Sequence, residues 1–151
     1  MSIAKITGSV LLLLSVLAPL GCNGPFGLLP GGALSGETAS TPTDWSSMGS
    51  AGTAQLETQG AEPYSVNIAY TVIDGALYIN AGDTETEWAK NIATDADVRL
   101  RIDGKIHEAR ADRVTDASTV DAFGDAWTNQ SFFRRDPRQL EALYLYRIVR
   151  R

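Results

Sequence analysis

SVNIAYTVIDGALYINAGDTETEWAKNIATDADVRLRIDGK, residues 65–105, decides the fold. Its side chains alternate at first. Val66, Ile68, Tyr70 and Val72 share one face of an extended chain, and Asn67, Ala69 and Thr71 share the other, which is the period of a half-buried strand. Asp74-Gly75 follows, a dipeptide that accepts the positive φ of a tight hairpin, and leads into ALYIN, so two antiparallel strands pair here. Thr84-x-x-Glu87 reads as a capping box opening a helix to about Thr94, with Trp88, Ala89 and Ile92 on its buried stripe. DVRLRI then sets Val98, Leu100 and Ile102 against Arg99, Arg101 and Asp103. A second turn at Asp103-Gly104 returns the chain as another strand.

Outward from this stretch, residues 53–58 form a short strand, and Thr115 or Ser118 opens a second helix to about Trp127. Phe132 and Phe133 precede Pro137, and ALYLYRIVR closes the chain as a last strand. Six short, mostly antiparallel strands with two helices at the connections predict a mainly β, α+β fold, a single small barrel or half-closed sheet. The expected core is Leu56, Val66, Ile68, Tyr70, Val72, Leu77, Ile79, Trp88, Ile92, Val98, Leu100, Ile102, Phe123, Leu143, Leu145 and Ile148.

The 151 residues include one Cys and one His, with 44% hydrophobic and 21% charged side chains and a formal charge of -5. That is a globular composition. A single Cys excludes an intramolecular disulfide, one Cys with one His makes no zinc site, and no metal is expected. The acidic balance argues against nucleic acid. Charge is also unevenly placed: residues 23–89 carry eight carboxylates and no Lys or Arg, whereas residues 90–151 carry twelve basic and ten acidic side chains. An anionic ligand therefore has to be held by the C-terminal half or by backbone N–H groups.

Residues 1–21 read as a leader: Lys5, then an apolar run from Val10 to Leu20 that as a helix rises about 16 Å, too short for a ~30 Å bilayer core. Residues 22–51, crowded with Gly, Pro, Ser and Thr, read as a tether. Its Phe26, Leu28, Leu29, Leu34, Trp45 and Met48 are unusual for a free tether, and Trp45 is the side chain expected to dock on the domain formed by residues 52–151. No nucleophile elbow, P-loop or paired His is present. Ser65, His107 and Asp112 exist without a spacing that favours a triad, and His107 reads as an ordinary strand residue beside Glu108.

Gly21-Cys22 directly after the apolar run resembles the lipobox of bacterial lipoproteins, although Pro19 and Leu20 depart from its usual Leu and small residue. The resemblance implies cleavage before Cys22, lipidation of its sulfur, export and anchoring to the cell envelope, with Asn23 favouring the outer membrane in a two-membrane cell. The alternative is an ordinary secreted protein.

The order strand, Asp-Gly hairpin, strand, helix, strand, Asp-Gly turn resembles the flavin-binding split-barrel superfamily. Its relevant members are the pyridoxamine phosphate oxidase-like proteins and the deazaflavin-dependent nitroreductases. Trp88, Asn91 and Ile92 match a W-x-x-N-L run of the latter branch, Ala96 replaces its Pro, and VTD at residues 114–116 also occurs there. The resemblance covers residues 53–151 and implies a split β-barrel, usually a homodimer, that binds FMN or a deazaflavin for hydride transfer. Carried over by position, it puts Ser65, Asn67, Trp88 and Asn91 near the ligand. Lys90, Arg99 and Arg101, together with Arg110, remain as cations for its phosphate. The family's own anchors are absent: ETQGAEPYSV stands where a basic loop is expected, with Glu57 and Glu62 in place of cations. Two readings result, an oxidoreductase and a non-catalytic barrel that has lost its cofactor and serves as a binding or envelope-associated module.

Overall fold

The computed structural model describes residues 23–151, so the apolar leader and Cys22 lie outside the described residues. The strands are β1 (Glu37–Ala39), β2 (Ala51–Gln59), β3 (Pro63–Ile73), β4 (Ala76–Asn80), β5 (Asp97–Ile102), β6 (Lys105–Val114) and β7 (Leu145–Arg150). Helix α1 (Glu87–Thr94) connects β4 to β5, and α2 (Ala117–Asn129) follows β6. Six antiparallel strands close in the order β6-β5-β2-β3-β4-β7, with β7 pairing back to β6, and β1 lies outside, parallel to β6. Closure leaves no free edge in the barrel.

The expected alternation fills the barrel. Leu56 pairs across to Leu100 and Val66, Val98 to Ala109, and Leu77 to Ile148, so one face of every strand points inward. Leu56, Leu77, Ile79, Leu100 and Val98 are all at most 1% exposed. Both hairpin turns hold the residues their geometry needs, with φ of 49° and 76° at Asp74-Gly75 and 49° and 78° at Asp103-Gly104. A second cluster packs Phe123 of α2 against Ala76, Tyr78, Val114 and Leu145 on the outside of the barrel. Val66, Val72 and Leu143, expected inside, are only partly buried and pack at the margins.

Several boundaries differ from the sequence reading. Helix α1 is capped by Thr86, whose hydroxyl accepts from the Ala89 N–H at 3.4 Å, so it starts two residues after the Thr84 box. Gly82 at φ 63° and a bond from Thr86 N to Thr84 O spend Thr84 in the preceding turn. Helix α2 is capped by Asp116, whose side chain accepts from Thr119 N at 2.9 Å, and not by Thr115 or Ser118. Strand β7 begins at Leu145, after Tyr144 has exchanged backbone bonds with Ala81 and Gly82.

Residues 23–51 are laid along the outside of the barrel as a strap that leads into β2. Trp45 docks as expected. At 1% exposure it belongs to the main core, its ring edge-on to His107 at 5.4 Å.

Candidate functional site

Strand alternation that sends Leu56, Ile68 and Leu100 inward must send Glu57, Ser65, Asn67, Arg99 and Arg101 outward from β2, β3 and β5. These three strands are neighbours in the sheet. In a bare barrel the five side chains would form a polar band of amide, hydroxyl and guanidinium donors with one carboxylate. Here the strap crosses that band and takes its hydrogen bonds.

The Ser65 hydroxyl, fully buried, donates to the Gly32 carbonyl at 2.7 Å, and Ser65 exchanges backbone bonds with Gly31, 2.8 Å each way. Asn67 Nδ2 donates to the Gly27 carbonyl at 2.9 Å. Arg99 Nη1 donates to the Leu34 carbonyl at 3.1 Å and to both oxygens of Glu57, and Arg101 Nη1 donates to the Ser35 carbonyl at 2.8 Å. Leu34 N–H donates back to Glu57 Oε2 at 2.6 Å. Gly31 suits this path, since a Cβ there would clash with the Asn23 carbonyl oxygen and the Gly24 backbone.

Of the remaining nominated residues, Trp88 and Asn91 are buried and Lys90 is on the surface. Trp88 is buried in the core with its ring at 5.7 Å from Tyr146. Asn91 is buried and donates to Thr58 Oγ1 at 3.0 Å, and its amide leaves no room for a Cβ on Gly60 beyond 3.1 Å. Lys90 is exposed on the opposite side of α1. The structure thus brings Ser65, Asn67, Arg99 and Arg101 onto one face, and it separates them from Trp88, Lys90 and Asn91.

A flavin-type cofactor requires a flat aromatic slot and donors for its phosphate tail. The residues of this face do not fit that requirement. Ser65, Asn67, Arg99 and Arg101 each direct a donor at a strap carbonyl, and Glu57 places a carboxylate at the centre, 2% exposed.

Two open clefts hold cations beside aromatic rings. One, of about 480 Å³, lies between α1 and β6 and is lined by Arg110, Arg113 and Tyr146. Arg113 stacks on Tyr144 at 4.3 Å and donates to the Leu143 carbonyl at 2.6 Å, while Arg110 is paired with Asp112 at 3.1 Å. Burial raises the Tyr146 phenol above its usual pKa despite the neighbouring Arg113. The other, of about 420 Å³, has Trp127, Phe133 and Arg134 in its wall. There Arg134 lies 3.6 Å above the Trp127 ring, and burial lowers its pKa. Neither cleft was visible in the sequence, because each is assembled from elements far apart in the chain. His107 is buried at 3% exposure with Nδ1 3.1 Å from the Ser40 carbonyl, the environment of a packed strand residue.

No protein-family model matches the chain, and no curated protein matches it. Seven solved chains do match by structure. One is a protein of Listeria innocua provisionally assigned as a pyridoxamine 5′-phosphate oxidase, with a TM-score of 0.51 and 17% identity over 64% of this chain and 82% of that one. At that identity the likeness is one of fold: both are split β-barrels.

Proposed function

We propose that this split-barrel chain is a membrane-anchored protein of the cell envelope that acts without flavin, as a non-catalytic binding or envelope-associated module. One observation carries the reading. Four of the residues that the family resemblance nominates for the ligand, Ser65, Asn67, Arg99 and Arg101, each donate to a backbone carbonyl of the chain's own N-terminal segment. The fold by itself supports the oxidoreductase reading only by analogy, because one fold hosts many activities.

The acidic first half of the chain supports the same conclusion. A phosphate tail on this face would meet Glu57, and Arg99, the cation closest to it, is already paired at 2.9 Å. Anchoring rests on the Gly21-Cys22 lipobox resemblance, and a homodimer on the split-barrel resemblance. Purified full-length protein tests the cofactor claim. Its visible spectrum is expected to show no chromophore, and FMN or a deazaflavin is expected not to bind at high micromolar concentration; a co-purifying flavin defeats the reading. For the anchor, Cys22→Ser should release the chain from the membrane fraction, and unchanged retention refutes lipidation.

A further inference from the structure

The described residues present five large apolar side chains to solvent: Phe26, Leu28, Leu29, Phe132 and Phe133, at 83%, 103%, 66%, 97% and 92% exposure. They form two tips. Phe26 and Leu29 exchange backbone bonds of 3.1 and 2.9 Å, closing a tight turn with Gly27 at φ 57°, so the first tip is a built hairpin. Phe132 and Phe133 follow α2 in a turn closed by Arg134 N to Ser131 O at 3.0 Å, their rings edge-on at 5.8 Å.

Both tips hang on the same face of the same strand. Gly27 of the first is held by Asn67, and Gln130, just before the second, donates to Thr71 Oγ1 at 2.8 Å. Asn67 and Thr71 are four residues apart on β3, hence on one face and about 13 Å from each other. The second tip continues into Arg134 and Arg135, the first of which is spread over Trp127. Exposed aromatic and aliphatic side chains next to arginines are the chemistry of the boundary between headgroups and acyl chains.

Chain connectivity selects the occupant. The Asn23 carbonyl accepts from Gly32 N–H at 2.7 Å, which fixes the residue after Cys22 at the root of the first tip. Asn23 to Phe26 spans at most ~11 Å, so the described residues start beside the first tip and not on the far side of the barrel. We infer that the two tips form a membrane-docking wedge, in which Phe26, Leu28, Leu29, Phe132 and Phe133 enter the interface of the bilayer that carries the lipidated Cys22 while Arg135 meets lipid phosphates. This rests on the anchored reading above. It deepens that reading by fixing the orientation, with β3 facing the lipid and β6, diametrically opposite in the six-stranded closed order, facing away.

The test uses the lipidated full-length protein in phosphatidylethanolamine–phosphatidylglycerol vesicles with and without bromine on the acyl chains. Tryptophan is introduced at the tips as Leu28→Trp and Phe133→Trp and on the opposite strand as Glu108→Trp, all exposed positions. Flotation with the vesicles scores anchoring separately. Side chains seated about 5–10 Å into the interface should lose roughly half of the added emission or more at Leu28→Trp and Phe133→Trp, with Glu108→Trp unaffected. A chain that floats but shows equal quenching at the three sites overturns the wedge and leaves the anchor standing. A chain that does not float overturns both. Tips shielded from aqueous acrylamide without bromine quenching identify a second copy of the chain as the occupant and overturn the wedge as well.

Discussion

Arg99 Nη1 lies 2.9 Å from Glu57 Oε2, and the same carboxylate oxygen accepts the Leu34 N–H at 2.6 Å, so one ion pair ties β5, β2 and the strap together. Glu57 is 2% exposed. Removing its cation leaves a buried carboxylate with only the Leu34 N–H and a long 3.5 Å bond from Gln59 Nε2, a loss of the order of 3 kcal/mol. Arg99→Leu should therefore lower the denaturation free energy by about that amount, whereas replacing both partners, Glu57→Leu with Arg99→Leu, should cost much less than the two single losses together. A double-mutant cycle by urea denaturation measures the difference. Equal and additive losses would show that the pair does not act as a unit.

Trp45 anchors the middle of the strap against His107 and the barrel core. Truncation to alanine leaves a cavity the size of an indole, with an expected cost of ~3–5 kcal/mol. Trp45→Phe should recover more than half of it. The cost should appear in global unfolding and not in a separate early transition, since Trp45 belongs to the core cluster of the barrel and Met48 packs against it.

How much of this was legible in the sequence depends on the range of each interaction. The alternations of Val66, Ile68 and Tyr70 and of Val98, Leu100 and Ile102, with the two Asp-Gly turns, carried the barrel because strand period and turn chemistry are local. Trp45 was legible as an apolar residue out of place in a polar segment. The destination of Ser65, Asn67, Arg99 and Arg101 was not, because their partners are carbonyl oxygens of Gly32, Gly27, Leu34 and Ser35, and a backbone acceptor leaves no mark on composition. A Gly- and Pro-rich stretch that reads as a tether is equally suited to lying close against a sheet.

Gly52 pairs with Tyr70 across β2 and β3, and a Cβ placed on it would stand 2.5 Å from the Tyr70 oxygen. That hydroxyl is held by the Met48 carbonyl at 2.8 Å, so the ring has little freedom to yield. Gly52→Ala should destabilise by about 1–3 kcal/mol through overpacking, measured as a drop in Tm. A neutral result would mean that the strap between Met48 and Gly52 gives way.

Asp116 caps α2, and its hydrogen bonds to Thr119 hold its carboxyl below the ordinary value of 3.8. A depressed folded-state pKa means that its contribution is complete above the unfolded value and disappears as pH falls through the folded one. Between neutral pH and about pH 5 the protection factor of the Thr119 amide, its exchange rate relative to the unstructured chain at the same pH, should therefore be constant, and on further acidification it should fall. Asp116→Asn should remove that acid-dependent limb while retaining a cap. An unchanged acid limb in the variant would assign it to another carboxylate.

Amide hydrogen exchange at Gly31, Leu34 and Ser65, followed by NMR with and without millimolar FMN, tests the central claim most directly. These three N–H groups bond the strap to the barrel. A strap that is part of the fold gives them protection equal to the β2 amides around Leu56, and FMN leaves that protection unchanged. Rapid exchange at all three in the free protein, or a loss of their protection as FMN binds, would mean that the face is open to a cofactor and would contradict the account.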